Sequence, residues 1–343
     1  MRLPESLPAA SQHTPPPFDP ELAPYLPEIQ ALMPPDALQP STIKEVRAAL
    51  AEWPVPSLDD LERAGRFEVT EVNVDSGTTS VPMVVCRPSG RTDAHLPVVY
   101  FVHGGGMVMG SNRLGLEQAL DWAEELGLLV VAVEYRLAPE FPYPAAIEDC
   151  YAGLAWLAES APSIGADQGR IILAGDSGGG GLAASLAIMA RDRGGPTVLG
   201  QVLMAPMLDD RNDTLSSRQM EGLGIWDRTS NETGWRALLG DAQGGPDVSP
   251  YAAAARADDL SRLPATFLDV GSAETFRDEV VTFASRIWAA GGDAELHVWS
   301  GGFHAFYLDL PEAQLSVAAL RARVDWLRRL LSRDRASKAD RPD

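Results

Sequence analysis

A serine in a glycine-rich pentapeptide is the residue of this chain best placed to act as a nucleophile. Residues 175–179 read Gly-Asp-Ser-Gly-Gly, with Ser177 at the centre. The largely apolar run 170–174 predicts a short strand before it, and the Ala- and Leu-rich run 182–193 favours a helix after it. A tight turn between a strand and a helix presents a serine hydroxyl above the sheet, and it requires small neighbouring residues. The pattern therefore predicts nucleophilic attack by Ser177.

A hydroxyl is a poor nucleophile at neutral pH, so Ser177 needs a base. The chain has five histidines. His304 lies in a glycine-containing loop directly after the last predicted strand, and such loops are where ligand sites of α/β proteins assemble. The other four are His13 in an N-terminal tail, His95 in a polar turn, His103 in a glycine run and His297 in a strand pattern. We therefore expect His304 to be the base; a structural histidine is the alternative.

An acid that orients the base is expected between Ser177 and His304, because one class of triad enzymes uses the chain order nucleophile, acid, base. Glu274 is the carboxylate closest to the end of the predicted strand 265–271 in the loop that follows it, and it can reach a histidine in the next loop. The sequence therefore favours Glu274 as the acid. The alternatives are Asp278 and Glu279 inside the predicted helix 275–290, and Asp269 inside the strand.

A run of three glycines follows the predicted strand 97–103. Glycines leave backbone N–H groups free to face a cavity, and such donors stabilise a developing oxyanion. We expect the N–H groups of Gly104, Gly105 and Gly178 to form an oxyanion hole; a merely flexible loop is the alternative. A phosphate-binding or dinucleotide-binding loop is disfavoured, because the chain has neither a P-loop lysine after residue 177 nor G-x-G-x-x-G in its first βα unit.

Strands and helices must position these residues. Strand patterns occur over 67–74, 81–87, 97–103, 128–134, 170–175, 198–205, 265–271 and 294–299. Helix patterns occur over 114–126, 145–159, 182–193, 275–290 and 315–331. A hairpin followed by alternating strands and helices predicts an α/β fold, with a mostly parallel sheet covered by helices on both faces.

Two segments lie outside this alternation. Residues 1–62 are predicted to form an N-terminal helical cap segment. The interval 207–240 is long for a loop, so it is predicted to be a second cap segment over the carboxyl ends of the strands. The catalytic domain is then 63–334, with 207–240 inserted, and 335–343 form a flexible tail.

Composition limits the class of partner and the location. The 343 residues carry a formal charge of −20, which disfavours nucleic acid and anionic membrane surfaces as partners. No run is long and apolar enough to span a bilayer, and no signal-peptide pattern is present. The two cysteines, Cys86 and Cys150, form no C-x-x-C pair. This disfavours a disulfide framework or a zinc cluster and favours a cytoplasmic location.

Three longer motifs carry a family resemblance. Residues 103–111 read HGGGMVMGS, residues 134–146 read EYRLAPEFPYPAA and residues 175–180 read GDSGGG. They are similar to HGGGW-x-x-GS, YRLAPE-x-x-FPA and GDSAGG of the hormone-sensitive-lipase-like carboxylesterases, the bacterial family IV esterases. Two positions depart from that pattern: 274–276 read Glu-Thr-Phe where the family has D-P-L, and Gly178 stands where alanine is usual, which predicts a looser elbow.

The resemblance, which covers about 68–331, implies an eight-stranded α/β-hydrolase core with a helical cap. It implies a triad of Ser177, His304 and Glu274 that hydrolyses short- to medium-chain acyl esters through an acyl-enzyme intermediate. The expected partner is a small-molecule ester, and no metal or cofactor is required. It also raises the expectation of a homodimer formed by the last strand and helix, including 297–299.

Other activities are weighed against this interpretation. A lactonase or thioesterase is the nearest alternative, because the same triad serves any activated acyl group. A non-catalytic receptor on the same fold is disfavoured by the presence of His304, and an epoxide hydrolase or dehalogenase would need Asp in place of Ser177. A long-chain lipase is disfavoured, because the sequence shows neither a signal peptide nor an identifiable apolar lid.

Overall fold

A central sheet carries the segments in which the candidate residues lie. The computed structural model describes residues 13–32, 37–50, 55–77, 79–91 and 95–339. Their strands are β1 Phe67–Asp75, β2 Ser80–Pro88, β3 Leu96–Val102, β4 Leu129–Val133, β5 Ala166–Asp176, β6 Gly200–Met204, β7 Ala265–Gly271 and β8 Ala294–Trp299. They form one eight-stranded sheet in the order β1-β2-β4-β3-β5-β6-β7-β8.

The directions of the strands follow from their connections. β1 and β2 form a hairpin, and β2 also pairs antiparallel with β4. The remaining neighbours pair in parallel. Every residue of β3 and β4 is buried, because parallel strands covered on both faces have no solvent-facing side. The predicted α/β fold with a mostly parallel sheet is confirmed.

Helices cover both faces of the sheet. Those of the described residues are α1 Leu26–Leu32, α2 Ile43–Leu50, α3 Leu58–Leu61, α4 Leu116–Leu126, α5 Ala145–Ile164, α6 Gly178–Arg193, α7 Leu215–Gln219, α8 Arg228–Leu239, α9 Arg277–Ala289, α10 Phe306–Asp309 and α11 Gln314–Ala339. The apolar faces of α5, α6 and α9 pack in one core, and those of α4 and α11 pack in the other. None of these helices is both long and apolar enough to cross a membrane.

The parallel register brings the candidate loops to one edge of the sheet. Val102 at the end of β3 lies beside Gly175 of β5, so the glycine run and the serine turn leave the sheet side by side. At the other strands, Gly271 of β7 lies beside Trp299 of β8. The loops that follow these two strands therefore also emerge together, at the carboxyl edge.

The C-terminal helix differs from the sequence prediction. A helix was predicted over 315–331 and a flexible tail over 335–343. Instead, α11 continues to Ala339, and Asp334 forms an ion pair of 2.9 Å with Arg170 of β5. The helix therefore ends later than the predicted boundary at 331, and the ion pair of Asp334 joins its last turns to β5. Residues 340–343 lie outside the described residues.

The N-terminal segment contacts the loops at the carboxyl edge. The backbone N–H of Asp19 donates to the carbonyl of Gly301 at 2.9 Å, in the loop that also contains His304. The amide of Gln30 donates to the carbonyl of Gly224 at 2.8 Å, within the interval 207–240. The two segments predicted as cap therefore touch each other. Residues 1–12, 33–36 and 51–54 of the N-terminal segment lie outside the described residues.

Candidate active site

Ser177 occupies the turn between β5 and α6. Its backbone angles are φ 56° and ψ −119°, a conformation that non-glycine residues rarely adopt and that indicates a strained turn. Position 179, two residues after Ser177, requires glycine. A Cβ there would overlap the carbonyl oxygens of Val102 and His103. The predicted strand, turn and helix are all present, and Ser177 is 5% exposed.

His304 reaches Ser177 from the loop after β8. Its Nε2 lies 3.0 Å from Ser177 Oγ, within hydrogen-bond distance. The two residues are far apart in sequence, and the parallel order β5-β6-β7-β8 brings their loops together. The structure therefore places the predicted base directly against the predicted nucleophile.

Glu274 lies on the opposite side of the imidazole. Its Oε1 is 3.3 Å from Nδ1 of His304, and its Oε2 accepts a hydrogen bond of 3.0 Å from the N–H of Gly271. Only 2% of Glu274 is exposed. The backbone bond fixes the orientation of the carboxylate, so that its other oxygen faces the histidine.

The alternative acids make other contacts. The carboxylate of Asp278 accepts from the backbone N–H of Ser216 at 2.8 Å. The carboxylate of Glu279 accepts from the backbone N–H of Leu208 at 2.7 Å. Asp269 is paired with Arg323 at 2.8 Å. Among the carboxylates weighed in the sequence, Glu274 is therefore the one hydrogen-bonded to His304.

The pKa of His304 lies above its usual value of 6.5. Burial of the ring opposes this by lowering the pKa, but the hydrogen bond to Glu274 and the charges of Glu274, Asp176 and Asp309 outweigh burial. The negative groups around the ring stabilise the imidazolium form. A base with this environment can hold a proton taken from Ser177.

The remaining histidines do not contact Ser177. His103 is fully buried, stacks on Tyr135 with ring centroids 4.1 Å apart, and bonds the carbonyl of Gly104 through Nδ1 at 2.8 Å. Burial lowers the pKa of His103 to about 4, so the ring is neutral and structural. His297 bonds Glu295 at 3.0 Å, and His95 is exposed.

The glycine run lies against the serine turn. A Cβ on Gly104 would lie 3.6 Å from the Cβ of Ser177, and a Cβ on Gly178 would lie 2.9 Å from the backbone nitrogen of Gly106. Within the described residues, the N–H groups of Gly104, Gly105 and Gly178 donate no hydrogen bond to protein acceptors. Donors near Ser177 are thus available to a ligand.

Gly178 lies against the third glycine of the run. A Cβ on Gly178 would lie 2.9 Å from the Cα of Gly106, so the backbone of Gly106 takes the space that an alanine methyl would occupy. Gly106 was not among the sequence candidates, although it belongs to the same run. Its contact with Gly178 makes it a further candidate donor.

Trp226 covers the glycine run from the interval 207–240. Its ring packs so closely on Gly106 that a Cβ there would collide with it, and it lies 6.3 Å from the ring of His304. The carbonyl of Trp226 accepts a hydrogen bond of 2.6 Å from Thr275, the residue after Glu274. The sequence placed Trp226 in the second cap segment but contained no signal for this contact.

The fold and this serine turn define an α/β hydrolase. A family model described as alpha/beta hydrolase fold matches residues 98–308. Esterase LipI of Mycobacterium tuberculosis is 37% identical over 210 residues, which are 61% of this chain and 65% of LipI, just under two thirds of its length. Carboxylesterase NlhH of the same species is 36% identical over 259 residues, which are 74% of this chain and 79% of NlhH.

Solved structures agree with these relatives. A bacterial heroin esterase superposes with a TM-score of 0.82 and 33% sequence identity. The match covers 92% of this chain and 98% of the heroin esterase chain. Esterase LipW of Mycobacterium marinum has a TM-score of 0.81 and 30% identity, covering 93% and 98%. The chain belongs to the hormone-sensitive-lipase-like carboxylesterases of the α/β-hydrolase fold, as the motifs predicted.

Proposed function

We propose that the protein is a serine carboxylesterase in which Ser177 is the nucleophile, His304 the base and Glu274 the orienting acid. The observation that carries this proposal is the chain of contacts from Ser177 Oγ to His304 Nε2 at 3.0 Å and from His304 Nδ1 to Glu274 at 3.3 Å. Esterase and carboxylesterase relatives support the reaction class. Ester hydrolysis is therefore the function that the site supports best.

The reaction would follow the general triad sequence. Ser177 Oγ attacks the ester carbonyl carbon while its proton moves to Nε2 of His304. The imidazolium then gives that proton to the leaving alkoxide oxygen, and the acyl group remains on Ser177. A water molecule, deprotonated by the same nitrogen, cleaves the acyl-enzyme. The released acid and the free Ser177 hydroxyl complete the cycle.

The developing oxyanion would be bound by backbone donors. We propose the N–H groups of Gly104, Gly105 and Gly178, as the sequence predicts, and we add Gly106 because its backbone nitrogen lies beside Gly178. Each donor in such a hole contributes about 10²–10³ in rate, since it is directed at charge that forms only in the transition state.

The pH dependence of hydrolysis tests the role of Glu274. The base must be neutral to accept a proton, so kcat/KM should fall as pH falls through the pKa of His304, which lies above 6.5. Glu274→Gln removes the charge that raises this pKa. The acidic limb of the kcat/KM profile should then move to lower pH, and kcat should fall by about 10³-fold because the ring loses its orienting partner.

Asp278→Asn is the matched control for that variant. Asp278 is a nearby carboxylate that binds the backbone of Ser216 rather than His304. Its replacement should leave the acidic limb in place. If the acidic limb moves in Asp278→Asn and stays in place in Glu274→Gln, the proposal that Glu274 is the acid is wrong.

We propose that the substrates are short- to medium-chain acyl esters, and that the cap is formed by residues 1–62 and 207–240. Trp226 supports this size limit, because its ring fills the space over Gly106 and beside His304. The catalytic residues are also largely covered, with Ser177 5% and His304 6% exposed. A long acyl chain would have to displace this ring.

Trp226→Leu should widen the acyl-chain range. The smaller side chain frees space next to Gly106, and a pocket discriminates by about tenfold or more per methylene that it excludes. The ratio of kcat/KM for p-nitrophenyl octanoate to that for the butyrate should rise by about tenfold. Trp288→Leu is the control, because Trp288 is 48% exposed on α9. If the ratio is unchanged in Trp226→Leu, Trp226 does not limit the length of the acyl chain.

A substrate panel tests the proposed function as a whole. Purified protein would be assayed on p-nitrophenyl esters from acetate to palmitate, with lactones and acyl thioesters alongside. We expect the highest kcat/KM on a short or medium acyl ester. A higher kcat/KM on lactones or thioesters would mean that the protein is a lactonase or a thioesterase that uses the same triad. Absence of turnover on all three substrate classes would contradict an acyl hydrolase.

The remaining proposals concern setting and assembly. We propose a cytoplasmic protein whose partner is a small-molecule ester, with neither nucleic acid nor membrane as a partner. We further propose a homodimer through β8 and α11. β8 is the edge strand of the sheet, and Val298 on it is 43% exposed, which leaves apolar surface at that edge. Sedimentation equilibrium of the wild type beside Val298→Lys would test the interface.

A further inference from the structure

A second, buried hydrogen bond connects the segments that carry Ser177 and His304. The hydroxyl of Tyr307 donates to Oδ2 of Asp176 at 2.9 Å. Asp176 is 5% exposed and Tyr307 is 3% exposed. Asp176 directly precedes Ser177 at the end of β5. Tyr307 lies in α10, three residues after His304 in the chain. The same two segments are therefore joined at two points: once by the reacting groups and once by this bond.

Several contacts fix the loop that carries His304. Before and at His304 it is held by the bond from Asp19 to Gly301 and by the bonds of His304 to Glu274 and Ser177. The bond between Asp176 and Tyr307 adds a contact on the other side of His304 in the chain, and it ends on the strand of Ser177. Burial raises the pKa of the Tyr307 hydroxyl well above its usual value, so it remains a donor at every pH at which the enzyme would act.

A buried arginine extends this arrangement to the third segment. The guanidinium carbon of Arg323 lies 3.7 Å from the ring centroid of Tyr307, in a cation–π contact. Its Nε donates to Asp269 at 2.9 Å, and its Nη1 donates to Gln118 at 2.7 Å. Asp269 belongs to β7, the strand that leads to Glu274, so Arg323 connects the acid strand to Tyr307.

We propose that Tyr307 is a positioning residue: its hydroxyl holds the segment of His304 against the strand of Ser177, and Arg323 fixes its ring to the strand that leads to Glu274. This rests on the proposed triad and adds a residue to it. Tyr307 itself has no contact with the reacting atoms. Its effect would come from keeping Nε2 and Oγ in line during proton transfer, for which displacements below 1 Å matter.

The charges around this bond connect it to the base. Asp176 faces Tyr307, Arg323, Asp269 and His304, and burial raises its pKa to about 6 despite the bond and the two cations. His304 in turn faces the carboxylates of Glu274, Asp176 and Asp309. Loss of the Tyr307 hydroxyl would make Asp176 harder to ionise. The neutral carboxyl would no longer stabilise the imidazolium of His304.

The test is Tyr307→Phe, which removes one oxygen and keeps the ring over Arg323. With p-nitrophenyl butyrate we expect kcat about tenfold lower, KM within about twofold of the wild type, and the acidic limb of kcat/KM moved to lower pH. Rates are normalised to active sites by the burst of p-nitrophenol. A purely structural role would reduce thermal stability without moving the limb.

Tyr100→Phe is the matched control. Tyr100 is a fully buried tyrosine on β3 whose hydroxyl donates to the carbonyl of Cys150 at 3.0 Å, so the same chemical change removes a comparable bond. We expect a similar loss of melting temperature in both variants, with kcat and the acidic limb preserved in Tyr100→Phe.

Two negative results are distinguishable. Equal kcat values and unmoved acidic limbs in Tyr307→Phe and Tyr100→Phe, with an active wild type, would overturn the role of Tyr307 alone. A wild type whose hydrolysis does not depend on Ser177 would contradict the proposed function, and the positioning role would fall with it, because no working triad would exist to be positioned.

Discussion

Ser177→Ala should lower kcat/KM for p-nitrophenyl butyrate by about 10⁴-fold or more. The alanine variant has no atom to attack the ester carbon, so no acyl-enzyme can form. The methyl group fits wherever the serine Cβ fits, and the variant should therefore fold as the wild type does. Remaining hydrolysis would come from water activated by His304 and from the backbone donors of the glycine run.

The same experiment can test whether the triad acts as a unit. His304→Gln should cause a loss similar to that of Ser177→Ala, and the double variant should be no slower than either single one, because each removes the same step. Ser185→Ala is the control, since Ser185 is a buried serine of α6 whose hydroxyl donates to the carbonyl of Pro250. Independent, multiplying effects of Ser177 and His304 would contradict a joint mechanism.

Arg323→Met should lower the free energy of unfolding by about 3–5 kcal/mol. Arg323 has no exposed side-chain surface, and it is paired with Asp269, which is 1% exposed. Removing the cation leaves a buried carboxylate without its charge partner and Gln118 without its donor. A buried group left unpaired is far more costly than the loss of a solvated pair.

Urea unfolding of three variants would measure this effect. Arg329→Met on the same helix breaks a partly exposed pair with Glu295, and it should cost about 1 kcal/mol or less. Adding Asp269→Leu to Arg323→Met should recover part of the loss, because the unpaired charge is removed. If Arg323→Met and Arg329→Met unfold at the same urea concentration, the buried pair has no special role in stability.

Local features of the chain were readable from sequence. Gly-Asp-Ser-Gly-Gly between an apolar run and a helix former predicts the turn of Ser177, because the sterics of that turn involve only adjacent residues. The apolar strands and their alternation with helices predict the sheet, because these patterns also depend on residues that are close together in the chain. His304 follows from its place after the last strand, since parallel order sends such loops to one edge.

Other features needed the tertiary structure. Glu274, Asp278 and Glu279 lie within six residues of chain, and only their side-chain contacts separate the one that meets His304 from the two that bind backbone elsewhere. The close approach of Gly106 to Gly178 and the cover by Trp226 are likewise contacts between distant segments. Propensity and periodicity describe neighbours in sequence, so they contain no information about such distances.

The buried pairing of Arg323 shows most clearly which features depend on the tertiary structure rather than on local sequence. In the sequence, Arg323 is one basic residue among several in the last predicted helix, and a polar face exposed to solvent would be the ordinary expectation. The fold places it at zero exposure against Asp269, Gln118 and Tyr307. The sequence by itself determined the class of fold and was enough to propose a nucleophile and a base, because these depend on local patterns. Only the tertiary structure distinguished Glu274 as the proposed acid and revealed the groups packed around the proposed triad, because buried charges are selected by partners that are remote in the chain.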